Sequence, residues 1–132
     1  MSEALSQPLS IDISFPVEGV ALVELVGELE VVSVDEFSMR MADLGGSGAI
    51  GVVIDLAGIS FIDSSGINAL VQAIKAVEAR DGTAVVASPS TVAQRVFAIT
   101  RLAEIVSVEP DRGVAIAIAT AAARGETRDD TD

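Results

Sequence analysis

The residues Asp63-Ser64-Ser65-Gly66 place a carboxylate and two hydroxyls in direct succession. They follow an apolar run, Ile50 to Leu56, and a short connection, and a helical pattern starts at once behind them. The first turn of a helix has backbone N–H groups with no internal partner and carries partial positive charge. A serine there can cap the helix, and a phosphate there is stabilised. The motif therefore admits a structural use and a regulatory one. Alone, it reads as a capped helix start with Gly66 allowing close backbone approach. Gly27-Glu28-Leu29-Glu30, taken alone, reads as a strand end with two solvated acids.

Other chemistries are narrowed by what the chain lacks. It has no His and no Cys, which removes imidazole bases, Ser-His-Asp triads, thiol nucleophiles, disulfides and His- or Cys-ligated zinc. It contains no G-x-x-x-x-G-K-[ST], no G-x-G-x-x-G and no G-x-S-x-G. Asp55 sits near the end of a buried strand, where a phospho-accepting aspartate of a response regulator would sit. The acidic pair after the first strand is missing, however, and the sole lysine, Lys75, lies on the outer face of a helix. Glu28, Glu30 and Asp63 could hold a metal on charge alone, but their spacing carries no ligand pattern. No cofactor motif is present, and the catalytic routes left are carboxylate, Lys or Ser chemistry.

With eight basic residues against twenty acidic ones, the net charge is -12. Such a surface repels nucleic acid and anionic membrane alike. The N-terminus is not a basic segment followed by an apolar run, and the apolar stretch Val114 to Ala123 is too short to span a bilayer. A cytoplasmic protein without membrane insertion is expected. Half the 132 residues are apolar and only 3% are aromatic, so one domain with an aliphatic core is expected.

The motifs need elements to hold them. Ile11, Ile13 and Phe15 alternate with polar residues as in a half-buried strand. Pro16 to Gly19 makes a hairpin connection, and Val20 to Val26 is a second strand that Gly27 ends. Ser33 and Glu36 fit a capping box for a helix burying Val34, Phe37, Met41 and Leu44. Ile50 to Leu56 is a central strand covered on both faces. The helix after it turns Ile67, Leu70, Val71, Ile74 and Val77 to the core and Asn68, Gln72, Lys75 and Ala79 outward. A strand at Ala84 to Ala87, a helix from Ser90 to about Thr100 with Val92, Val96 and Ile99 inward, a strand at Ile105 to Val108 and a last helix fading near Ala123 complete the pattern. Residues 1–9 form a flexible leader, 10–124 the domain, and 125–132 a disordered acidic tail. The order β-β-α-β-α-β-α-β-α calls for an α/β fold, with a mostly parallel sheet and one antiparallel edge hairpin.

With both motifs placed between a strand and a helix, the chain resembles the STAS domain family, and in particular the bacterial anti-sigma factor antagonists. The resemblance runs from about Ser10 to Ala122. Its marks are Gly27-Glu28-Leu29-Glu30; Asp55-Leu56 followed by Phe61-Ile62-Asp63-Ser64-Ser65-Gly66-Ile67; and the Val92–Phe97 helix after Ser88-Pro89. It implies a STAS-like single domain that binds an anti-sigma factor with serine kinase activity and so releases a sigma factor. It also implies phosphorylation at the first serine after the aspartate, Ser64, and a serine phosphatase that reverses it. Asp63, Ser65, Gly66, Glu28 and Glu30 would form the phosphosite environment. Asn68, Gln72 and Lys75, on the outer stripe next to Ser64, are candidate partner contacts, with the Val92–Ile99 helix distant from them. Two positions depart from the family pattern: Glu30 stands where Asp is usual, and Asn68 where a small residue is usual. The alternative is a STAS module that binds a small ligand or serves as a subunit of a transport or scaffold complex.

Overall fold

In the computed structural model, which describes residues 7–126, β1 (Ser10–Val17) and β2 (Val20–Leu29) form an antiparallel hairpin. Most of the expected leader and tail lie outside the described residues. Then come α1 (Val34–Asp43), β3 (Gly51–Ile62), α2 (Ser64–Ala79), β4 (Thr83–Ala87), α3 (Thr91–Thr100), β5 (Val108–Glu109) and α4 (Arg112–Ala123). The strands lie side by side in chain order, β1-β2-β3-β4-β5, and every pair after the first is parallel. The expected α/β class, element order and edge hairpin are all present.

That strand order decides where the helices go. When successive parallel strands are neighbours and every crossover is right-handed, all crossover helices land on one face. Phe37 and Met41 of α1, Leu70 and Ile74 of α2 and Ala93 and Phe97 of α3 share one core with Val23, Leu25, Ile54 and Val86. Among the described residues only α4, which follows the last strand, covers the other face: Ala115 and Ala119 pack on Val20, Leu22, Val53 and Val85. The central strand β3 is thereby buried on both sides, which is why Gly51 to Leu56 has almost no polar residue.

Several boundaries differ from the sequence reading, and tertiary pairing is the cause. Gly27 does not end β2. Its positive φ of 108° makes a kink, and the strand runs on through Leu29. An added Cβ at Gly27 would overlap the Pro8 carbonyl, so glycine is needed there. β3 extends six residues past Leu56, because Gly58 to Ile62 pairs with Val26 to Leu29 through two register shifts. What reads as a short connection is strand. Ile99, expected inward, is 82% exposed; α3 instead buries Ala93 and Phe97, with Val92 and Val96 half-buried. Ile105 is exposed after a 3-10 turn at Leu102–Glu104, and the last strand is only Val108–Glu109.

Candidate functional site

The extra length of β2 and β3 carries two chain segments to one end of the sheet. The Asp63 N–H donates to the Leu29 carbonyl (3.3 Å), so the start of α2 is clamped to the end of β2. α2 passes so close to β2 that a Cβ on Gly66 would overlap the Leu29 carbonyl oxygen and stand 2.9 Å from Ile62 Cγ1. Only glycine fits that position without moving the helix.

The cap of α2 is Asp63, not a serine. Its backbone is extended (φ -107°, ψ -174°), and its Oδ1 accepts from the Gly66 N–H at 2.8 Å. Ser64 is consequently the first helical residue. It is exposed, and its hydroxyl has no hydrogen-bond partner among the described residues. Asp63 has a second arm: Oδ2 accepts from the Val31 N–H at 3.2 Å, across the loop that joins β2 to α1.

That loop, Glu30 to Ser33, uses its remaining polar groups internally. Glu30 Oε1 accepts from the Val32 N–H (3.2 Å), and Ser33 Oγ accepts from the Glu30 N–H (3.1 Å) and donates to the Glu28 carbonyl (2.8 Å). The capping box expected from Ser33 and Glu36 is therefore not made. Ser33 occupies the cap position of α1 with helical backbone angles (φ -101°, ψ -8°), and its hydroxyl is turned back into the loop. Val31 and Val32 project to solvent, 64% and 83% exposed. The Glu28 carboxylate accepts from the Gln7 N–H (3.3 Å).

The expected residues thus fall into two groups that meet at Asp63. Asp63, Ser64, Asn68, Gln72 and Lys75 line one groove of about 460 Å³, and Val96, Thr100, Leu102 and Ile105 form its other wall. The α3 helix is therefore part of this surface rather than distant from it. Glu28 and Glu30 lie outside the groove, on the loop side. Ser65 is half-buried and Gly66 buried in the first turn of α2. Among the described residues no set of three carboxylates converges to hold a metal ion, so Glu28, Glu30 and Asp63 do not make the metal site their charge allows.

One polar cluster escaped the sequence reading. Asp55, buried on the α4 face, accepts from Arg112 Nη1 at 2.9 Å and from the Ala57 N–H at 2.8 Å; Arg112 also reaches Glu24 Oε2 at 2.6 Å. The Asp55 hydrogen bond, followed by the one to Glu24, holds the Arg112 guanidinium above its ordinary pKa. A carboxylate inside an apolar strand run is itself a signal, since a buried charge requires a partner. The signal does not say which of seven arginines supplies it. This ion pair takes up Asp55 and fastens the start of α4 to β2 and β3.

The comparisons with known proteins agree with this architecture. The STAS domain family model matches residues 16–115. An anti-sigma factor antagonist from Mycobacterium paratuberculosis superposes with a TM-score of 0.75 at 19% identity, over 85% of this chain and 94% of that one. The Bacillus cell fate determinant SpoIIAA in its phosphorylated form gives 0.64 at 19% identity, over 83% of this chain and 99% of that one. The murine Solute Carrier 26 family anion transporter Slc26a9 gives 0.70 at 19% identity, over 87% of this chain but 22% of that one. At these identities the likeness is one of fold. Among the described residues no helix is long and apolar enough to cross a membrane.

Proposed function

The chain belongs to the STAS domain family, and from that premise we propose that it is an anti-sigma factor antagonist switched by phosphorylation of Ser64. In this reading the unmodified chain docks on an anti-sigma factor with serine kinase activity, and the sigma factor is released. The partner supplies ATP and the transfer chemistry. The chain is substrate and ligand rather than enzyme, acts in the cytoplasm without contacting nucleic acid, and is reset by a serine phosphatase.

The observation that carries this reading is the division of labour between Asp63 and Ser64. Asp63 caps α2, so the adjoining hydroxyl is exposed at a helix start and free to be modified without removing a structural bond. A fold neighbour, SpoIIAA, has been described in both unphosphorylated and phosphorylated forms, which supports reading this fold as one that tolerates the modification. Phosphate adds about 1.5–2 negative charges and three acceptor oxygens. A partner seated on the groove shared by Ser64, Asn68, Gln72 and Lys75 meets that charge directly, within the ~8 Å over which exposed charges act at physiological salt. Like charges brought together at an interface can cost several kcal/mol.

Affinity capture from the native cell, with wild type and Ser64→Asp compared as baits, identifies the partner. Calorimetric titration against that partner then tests the switch. The expected result is strong binding for wild type and Ser64→Ala and weaker binding for Ser64→Asp. Equal affinities for all three would show that charge at this position is not the switch. The rival reading, a subunit of a transport or scaffold complex or a small-ligand module, draws on the shared fold of the anion transporter. Capture of transporter subunits by both baits alike would favour it.

A further inference from the structure

The Asp63 carboxylate touches both halves of the site, and its two bonds are unequal. Oδ1 holds the Gly66 N–H at 2.8 Å inside the first turn of α2, where the helix dipole adds to the attraction. Oδ2 holds the Val31 N–H at the longer distance of 3.2 Å, on an exposed turn whose Ser33 and Val34 N–H groups close on the Glu30 carbonyl before α1. Charge-assisted hydrogen bonds weaken with distance and exposure, so the loop arm is the weaker of the two. We propose that Asp63 couples the modification state of Ser64 to the β2–α1 loop, with phosphate at Ser64 breaking the Asp63–Val31 bond and freeing the Val31–Val32 tip while the cap on Gly66 holds. This rests on the reading that Ser64 is the modified residue, and it adds a second place where the modification is read.

The geometry explains why the response is directed. The N–H groups of Ser64 and Ser65 donate to nothing among the described residues. A phosphate on Ser64 has those donors within reach and is held at the helix start. It then faces the neighbouring carboxylate of Asp63 and competes with it for the same positive end of the helix. Asp63 can relieve the repulsion by yielding its outer oxygen, and the bond lost is the one to Val31. The tip is poised to respond, because two β-branched apolar side chains stand in solvent on a loop otherwise held by Glu30 and Ser33. In the unmodified chain the bond to Asp63 completes that set and holds the valines in one place against the start of α2, as a pre-organised apolar contact for the docked protein. In the modified chain the tie to Asp63 is lost while the bonds within the loop remain, and binding weakens through the freedom the tip gains as well as through charge.

The full chain with phosphoserine encoded at position 64 tests this without a kinase or a partner. Solvent-exchange rates of the Val31 and Gly66 amides are compared by NMR with those of the unmodified chain. Val31 is expected to exchange about tenfold faster while Gly66 changes little. An unchanged Val31 overturns the proposal. Equal acceleration at both amides also overturns it, because the helix start would then be fraying as a whole. Asp63→Asn leaves one oxygen for Gly66 and none for Val31. It should speed Val31 exchange in the unmodified chain, and phosphoserine should add nothing further. A further tenfold step in that variant would mean that the phosphate acts by another route. Because no partner is present, a chain that passes these tests yet meets no kinase would remove the proposed function and leave the coupling standing.

Discussion

Replacing Asp63 by Ala removes the acceptor of two backbone donors, Gly66 N–H and Val31 N–H. The loss expected is about 1–2 kcal/mol, the upper part of the range for a helix cap. Ser64→Ala removes a hydroxyl without a partner and should stay within about 0.5 kcal/mol of wild type. Denaturant titration of the two variants side by side checks this, and a Ser64→Ala as destabilised as Asp63→Ala would contradict the assignment of the cap. The sequence places both residues at the helix start but does not tell which of them caps it, because Asp and Ser are equally good caps. Arg112→Ala removes the partner of Asp55, whose side chain is only 8% exposed. Breaking a fully buried pair costs about 3–5 kcal/mol, but Arg112 itself is 45% exposed, so water replaces part of it and about 1–3 kcal/mol is expected. Restoring an uncharged partner set with Asp55→Asn in the same chain should recover part of that loss. The folded-state pKa of Arg112 is raised. Its contribution is thus fully present below the unfolded value and lost only as pH rises through the folded one, in strongly alkaline solution. Between neutrality and pH 9 Arg112 should add no slope to stability.

At the scale of elements, the existence and type of the α-helices and strands are legible, and the ends and the 3-10 turns between them are not. The helix periodicities work because each helix has one sheet to face: Phe37, Met41, Leu70, Ile74 and Val77 are all buried as their spacing requires. The α3 helix is misjudged by about one residue. Its small inward residue Ala93 packs where a larger apolar residue is expected, which leaves Ile99 in solvent. The ends of β2 and β3 are illegible for a different reason: Gly58 to Ile62 is strand only because Val26 to Leu29 lies beside it, and pairing at such separation leaves no local pattern. Those same extensions build the site, by bringing Leu29 and the loop after it against Asp63. Gly66→Ala tests that contact. A Cβ there meets the Leu29 backbone rather than a flexible side chain, so overpacking should cost about 1–3 kcal/mol and displace the start of α2. A melting temperature equal to wild type would show that α2 and β2 are less closely held than described.

For the whole molecule, chain-ordered strands put three helices on one face and leave α4 alone on the other. The handedness rule makes the first part legible once the order is known, but nothing local in the sequence shows that α4 crosses over. The net charge of -12 is legible from composition, and it has a consequence for the folded chain as a unit. Self-repulsion destabilises the compact state, and salt screens it. Raising ionic strength from ~0.01 M to ~0.15 M shortens the screening length from about 30 Å to about 8 Å, and the melting temperature should rise by a few degrees. A fall would mean that attractive pairs such as Arg112 with Asp55 and Glu24 outweigh the general repulsion. The central claim, that this fold presents Ser64 as the acceptor of a partner's phosphate, is tested most directly by intact-mass and fragment analysis of the chain after incubation with the captured partner and ATP. Thr91 is a built-in control, since it too is the exposed first residue of a helix, behind the cap Ser90. One phosphate, on Ser64, is the expected result. Phosphate found only on Ser65 or Thr91, or none on a chain that binds the partner, would contradict it.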